Sequence, residues 1–122
     1  MIGVHSIGRI FLCTQPTDMR KSFDGLCGEV ERVFDQDPLN GNLFVFFNRK
    51  CTMVKMLLWD RYGFWVCAKR LQSGTFSLRS IEQSGETDIT NLQCILDGLE
   101  ITKSWRRKRF LLEKNQKSLC KN

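Results

Sequence analysis

The readable pattern begins with Arg9-Ile10-Phe11-Leu12-Cys13, a short apolar run suited to a buried strand. Pro16-Thr17-Asp18 stops it and offers Asp18 or Thr17 as a helix cap. From Met19, apolar residues fall at 19, 23, 26, 27, 30, 33 and 34, which is helical spacing with one apolar face. That helix should end near Phe34 or Asp35. Gly25 and Gly28 weaken it and suggest close packing there. Asp37-Pro38-Leu39-Asn40-Gly41-Asn42 is turn chemistry. Leu43 to Phe47, apolar on both faces, predicts a central strand. Met53 to Trp59 and Phe64 to Leu71 read as a hairpin, Thr75 to Ser80 as a further short strand, and Ser84 to Thr87 as a loop. A second helix starts at Asp88, carries Ile89, Leu92, Ile95, Leu96 and Leu99 on one face, and ends with help from Gly98. The order β-α-β-β-β-β-α predicts an α+β domain: a mainly antiparallel sheet of about five strands with two helices packed on one side.

The hairpin register can be argued from its turn. Asp60-Arg61-Tyr62-Gly63 fits a three-residue loop closed by a left-handed glycine. That register pairs Asp60 with Phe64, Trp59 with Trp65, Leu57 with Cys67 and Lys55 with Lys69. One face then holds both tryptophans and both lysines, and the other holds Val54, Met56, Leu58, Val66 and Ala68, with Arg70 at its end. A two-residue loop would mix lysines and tryptophans across both faces. Aromatics interleaved with lysines on a sheet can stack bases and hold phosphates. The alternative is that another layer covers the tryptophans while the lysines reach past its edge.

Composition adds one asymmetry. The 122 residues suit one domain with a real core, 42% of them hydrophobic, and the net charge is +6. Residues 1–102 carry 11 Lys+Arg against 12 Asp+Glu, net −1, whereas residues 103–122 carry 8 against 1, net +7. The chain therefore divides into an α+β domain over 1–102 and a basic C-terminal tail over 103–122. Within the tail, Arg106, Arg107, Lys108 and Arg109 form the densest cluster. Phosphate backbones are the commonest target of such a cluster, and a solvated tail that aids solubility is the other reading.

Little points to catalysis. The six cysteines, Cys13, Cys27, Cys51, Cys67, Cys94 and Cys120, are dispersed, with no C-x-x-C and a single histidine, His5. Metal binding and cofactors are not expected, and free thiols in a reducing cytosol are the simplest account. Neither a signal peptide nor an apolar run of about 18 residues is found, so no membrane span is expected and the location reads as cytoplasmic. Asp18, Asp24, Asp37 and Asp60 are the candidate carboxylates, but they assemble no convincing metal-binding trio. The chain does not read as an enzyme.

Several stretches at fixed spacing carry a resemblance: Asp18-Met19-Arg20-Lys21-Ser22-Phe23-Asp24-Gly25-Leu26, then Asp37 to Phe46, then Lys55, Leu57, Trp59, Asp60, Gly63 and Phe64, then Ala68-Lys69-Arg70-Leu71 with Gly74 and Phe76. Over residues 8–102 the chain resembles TnpB, the small accessory protein of the sixty-six family of insertion sequences, unrelated to the RNA-guided nucleases of that name. The resemblance implies a non-catalytic protein of bacterial DNA transposition that assists a DDE-type transposase encoded by the same element. Arg20, Lys21, Lys55, Lys69 and Arg70 lie within the matching motifs. With Trp59, Trp65 and Arg106 to Arg109, they are the expected nucleic-acid-binding residues. Two mechanisms stay open: binding of element DNA or the transposase–DNA complex, or a protein adaptor for the transposase with no nucleic-acid contact.

Overall fold

Five consecutive apolar residues, Leu43–Phe47, form strand β2, and all five side chains are buried. A strand buried on both faces needs a covering layer on each, and that requirement organises the chain. The computed structural model describes residues 7–79 and 81–98. Its elements run β1 (Ile10–Leu12), α1 (Phe23–Phe34), β2 (Leu43–Phe47), β3 (Met53–Trp59), β4 (Phe64–Arg70), β5 (Gly85–Thr87) and α2 (Ile89–Leu96). The sheet order is β4-β3-β2-β1-β5. Among the described residues only β1 and β2 pair in parallel, with α1 as the crossover, and the other pairings are antiparallel. The five-stranded, mainly antiparallel α+β class predicted from the sequence is the one observed.

The helices, however, lie on opposite faces of the sheet. Side chains alternate across a strand, so Phe44 and Phe46 point to one side with Phe11, Cys13 and Leu57. There they meet Leu26 and Val30 of α1. Leu43, Val45 and Phe47 point to the other side with Ile10, Leu12, Val54 and Leu58, where Leu92 and Ile95 of α2 and the buried Phe76 cover them. The expectation of both helices on one side fails for this reason: it would leave one face of β2 in water. Around Phe34 the α1 side is aromatic, with ring centroids 5.8 Å from Phe11, 5.5 Å from Phe44 and 6.2 Å from Phe46.

The start of α1 also differs from its sequence reading. Asp18 does not cap it. The Asp18 carboxylate instead accepts the Arg20 backbone N–H at 2.9 Å and pairs with the Arg20 guanidinium, closing a turn before the helix. Ser22 occupies the N-cap position without a side-chain hydrogen bond. The two helical glycines also differ from each other. Lys21 lies across Gly25, whereas a Cβ on Gly28 would meet nothing within 4 Å.

Helix α2 follows its sequence reading. Asp88 is the N-cap and accepts the Asn91 N–H at 2.7 Å, and left-handed Gly98 follows the C-terminus. Leu99 lies outside the described residues.

The fifth strand is shifted along the chain. Residues 75–79 form no strand. They hang from the β2–β3 turn through the Phe76 N–H to the Cys51 carbonyl at 2.7 Å, and Ser80 is not described. Gly85–Thr87, read from sequence as a loop, instead adds to β1, where Arg9 and Glu86 form a two-pronged ion pair across the edge. Cys13, Cys27, Cys51, Cys67 and Cys94 form no disulfide among the described residues.

Two substitutions test this packing in opposite directions. Phe44→Ala should cost about 3–5 kcal/mol in urea unfolding, because it opens a cavity at the centre of the α1 face. Gly28→Ala should raise stability by about 0.5–1 kcal/mol, since it removes unfolded-state freedom at a helical site with open space.

Candidate nucleic-acid interface

The hairpin sets where the candidate residues point. Strand β3 pairs with β4 as Trp59↔Phe64, Leu58↔Trp65, Leu57↔Val66, Met56↔Cys67, Lys55↔Ala68, Val54↔Lys69 and Met53↔Arg70. This is the two-residue loop, one position away from the register argued from the sequence. The left-handed backbone sits at Arg61, with φ of 88°, and Gly63 is not left-handed. The Asp60 carboxylate holds the turn by accepting the Tyr62 and Gly63 N–H groups, both at 3.1 Å, and the Trp65 indole N–H at 2.6 Å.

One slip in register moves every side chain of a strand to the other face. Trp59 and Lys55 therefore stand on the α1 side, and Trp65 and Lys69 on the α2 side. The single aromatic-and-lysine face expected from the sequence does not exist. Trp59 packs on Phe64 with centroids 5.0 Å apart. Trp65 stays 41% exposed beside Asp60.

The candidate cations separate by what already binds them. Arg20 lies against Asp18 at 2.7 Å, and the Asp18 carboxyl is held down to about 2 by that contact. The Lys21 ammonium approaches the buried Glu29 at 3.7 Å, and Arg32 reaches the same carboxylate at 2.6 Å. Arg32 first, and Lys21 after it, keep Glu29 below the usual carboxylate range. Lys55 donates from Nζ to the Lys21 carbonyl at 2.8 Å, and Lys69 donates to the Leu96 carbonyl at the end of α2 at 3.2 Å. These lysines serve as ties between sheet and helix. Arg70 is exposed at the end of β4 and has no hydrogen bond or ion pair among the described residues. Arg106, Arg107, Lys108 and Arg109 lie outside the described residues.

Sequence reasoning passed over two further cations. Arg49 and Lys50 are exposed in the β2–β3 turn and share Arg70's lack of a partner among the described residues. The turn and Arg70 meet at one end of the sheet, because Met53 pairs with Arg70 and the Leu71 N–H bonds the Thr52 carbonyl at 2.8 Å. The Lys69 tie brings the C-terminus of α2 to that same end. The signal available in the sequence was the Asn48-Arg49-Lys50 turn, whose side chains have no core to enter. Three of the four candidate carboxylates are spent on local structure, Asp18, Asp37 and Asp60 each accepting the backbone N–H two residues on, and Asp24 lies in the first turn of α1. Among the described residues, no group of three or more His, Cys, Asp or Glu is placed to hold a metal ion. No helix among them is long and apolar enough to cross a membrane.

Comparison with known proteins agrees with the motifs. A family model described as IS66 Orf2 like protein matches residues 8–106. The chain is similar to two proteins of Sinorhizobium fredii (strain NBRC 101917 / NGR234), each described as uncharacterized. With y4jC it shares 37% identity over 76 residues, covering 62% of this chain and 65% of that protein. With y4hO it shares 36% identity over 100 residues, covering 80% of this chain and 83% of that protein. No solved structure matches.

The clamp at Asp60 yields a pH test. Its carboxyl is held below the ordinary 3.8, first by the Trp65 indole N–H and then by the Tyr62 N–H. A depressed carboxyl stabilises the fold above its unfolded value and loses that effect as pH falls through the folded value. The Trp65 indole N–H resonance should therefore move as pH falls below 3.8. In Asp60→Ala it should already sit at the acid position at neutral pH. A Trp65 resonance that ignores both changes would overturn the clamp.

Proposed function

Since the chain belongs to the IS66 Orf2-like family of insertion-sequence proteins, we propose that it assists the element's DDE-type transposase in the cytoplasm without cleaving DNA itself. In this reading it meets element DNA, or the transposase–DNA complex, through the cationic end of its sheet and the tail that follows. The supporting observation is that Arg49, Lys50 and Arg70, at the end where α2 finishes, have no partner among the described residues. The chain continues from there into residues 103–122, with 8 Lys+Arg against one acid. Cations without carboxylate partners can exchange their hydration for phosphate and release counterions from the duplex. Lys55 and Lys69 each commit one ammonium N–H to a backbone carbonyl and fit that role less well. Over β1, β2 and β3 the sheet faces are covered by the helices and offer little room for a duplex. What binds phosphate is then an edge and a tail.

A protein-contact reading also has a specific observation behind it. At the opposite end of the sheet, Tyr62 is 89% exposed, and Leu39 and Trp65 are exposed with it. A cleft of about 360 Å³ lies between the Leu39–Gly41 turn and Trp59, Asp60 and Arg61. Aromatic residues with arginine are the usual anchors of protein interfaces. In this reading the transposase docks at the hairpin end while DNA lies at the other.

Gel shifts with terminal-repeat and random duplexes, with and without the transposase, test both readings. Alanine at Arg106, Arg107, Lys108 and Arg109 should weaken binding by a similar factor on either duplex. Each single substitution there, or at Arg49, Lys50 or Arg70, should flatten the log-affinity against log-salt slope by about one. Lys69→Ala should leave the slope unchanged. An absence of DNA binding at low salt, with transposase binding abolished by Tyr62→Ala, would leave the adaptor reading alone.

A further inference from the structure

Strand β4 is an edge of the sheet with half of its backbone groups aimed away from it. Asp60 and Gly63 are hydrogen-bonded at the turn, and Leu71 bonds Thr52 at the far end. In an antiparallel ladder, bonded and non-bonded pairs alternate. Trp65, Cys67 and Lys69 are therefore the residues of β4 that exchange bonds with β3. Phe64, Val66, Ala68 and Arg70 present their N–H and C=O groups outward. The strand spans seven residues without proline, and no described residue pairs with its outer side, so it is a long open template.

The side chains along this edge have a direction. Phe64 and Trp65 stand at its start, Lys69 and Arg70 at its end, and Cys67 in the exact middle. We propose that β4 pairs antiparallel with β4 of a second copy of this chain, about a two-fold axis through Cys67. In that register Phe64 faces the partner's Arg70, Val66 faces the partner's Ala68, and each such pair exchanges two backbone hydrogen bonds. All four outward-facing residues are satisfied, and no other antiparallel register pairs the whole strand. Trp65 lies opposite the partner's Lys69, on the α2 side. The aliphatic stem of Arg70 lies along the partner's Phe64 while its guanidinium stays open to phosphate, so this pairing leaves the proposed DNA contact in place. Parallel pairing would instead set Lys69 and Arg70 of both copies side by side, which like-charge repulsion opposes. The two-fold arrangement makes one ten-stranded sheet and keeps the two cationic ends apart.

The register makes specific demands on the full-length chain. Light scattering should give twice the 14.2 kDa chain mass. The backbone amides of Phe64, Val66, Ala68 and Arg70 should exchange more slowly as protein concentration rises. Diamide, which takes two electrons and two protons as two thiols join, should yield a Cys67–Cys67 disulfide identified by peptide mapping. Central non-bonded pairs bring the side chains close enough for that link. Ala68→Pro should give a monomer with an unchanged far-UV spectrum, since the lost N–H makes no bond to β3. A monomer at every concentration would overturn the proposal. So would a dimer that forms without slowing those four amides, or amides that slow only when the transposase is added, which would assign the edge to a foreign strand.

Discussion

Burial of β2 on both faces is the constraint from which the rest of the fold follows. Five apolar side chains in a row cannot alternate between core and water, so each face of the sheet must carry its own layer. The crossover helix α1 supplies one layer through Leu26, Val30 and Phe34, and α2 with Phe76 supplies the other. With both faces of β2 covered, the surface of the sheet that stays exposed lies at its ends and along β4. Lys55 and Lys69 show the same economy at a smaller scale. Lys69 uses its ammonium on a carbonyl that the C-terminus of α2 leaves open, and Lys55 uses its own on the Lys21 carbonyl just before α1.

The elements were legible from the sequence because their signals are local. The 3.6-residue spacing of α1, the continuous apolar run of β2 and the Asp88 cap with Gly98 beyond the helix each depend on a few neighbouring residues. The hairpin register was not legible, and Arg61 is the reason. The four residues Asp60 to Gly63 serve either loop length, and glycine is the cheaper place for a left-handed backbone. Here the left-handed residue is Arg61, held by the three hydrogen bonds that converge on Asp60. Patterning could not correct the choice, because both faces of β3 are largely buried and either register gives each face apolar residues. The fifth strand was missed for a similar reason. Gly85-Glu86-Thr87 has no strand character of its own and is extended only because β1 offers it an edge.

For the candidate site, the sequence could count cations but could not tell which were free. Arg20, Lys21, Lys55 and Lys69 look like Arg49, Lys50 and Arg70 in a string of letters. The first four are distinguished by partners that folding brings from up to 34 residues away. A charge already neutralised by a carboxylate, or hydrogen-bonded to a carbonyl, has less to gain from phosphate. Arg49 and Lys50 escaped notice because a turn needs no special explanation for polar residues. Their position became informative only once Arg70 was seen beside them.

The parallel pairing of β1 with β2 also orders the assembly of the molecule. Strands β2, β3 and β4 form a meander of neighbours in sequence, whose closure costs little chain entropy. β1 must wait for the whole of α1 to cross the sheet. Its other neighbour, β5, is sealed by an ion pair between residues 77 positions apart. Among the described strands, β1 is thus held by the pairings of greatest sequence separation, the contacts whose closure costs most chain entropy.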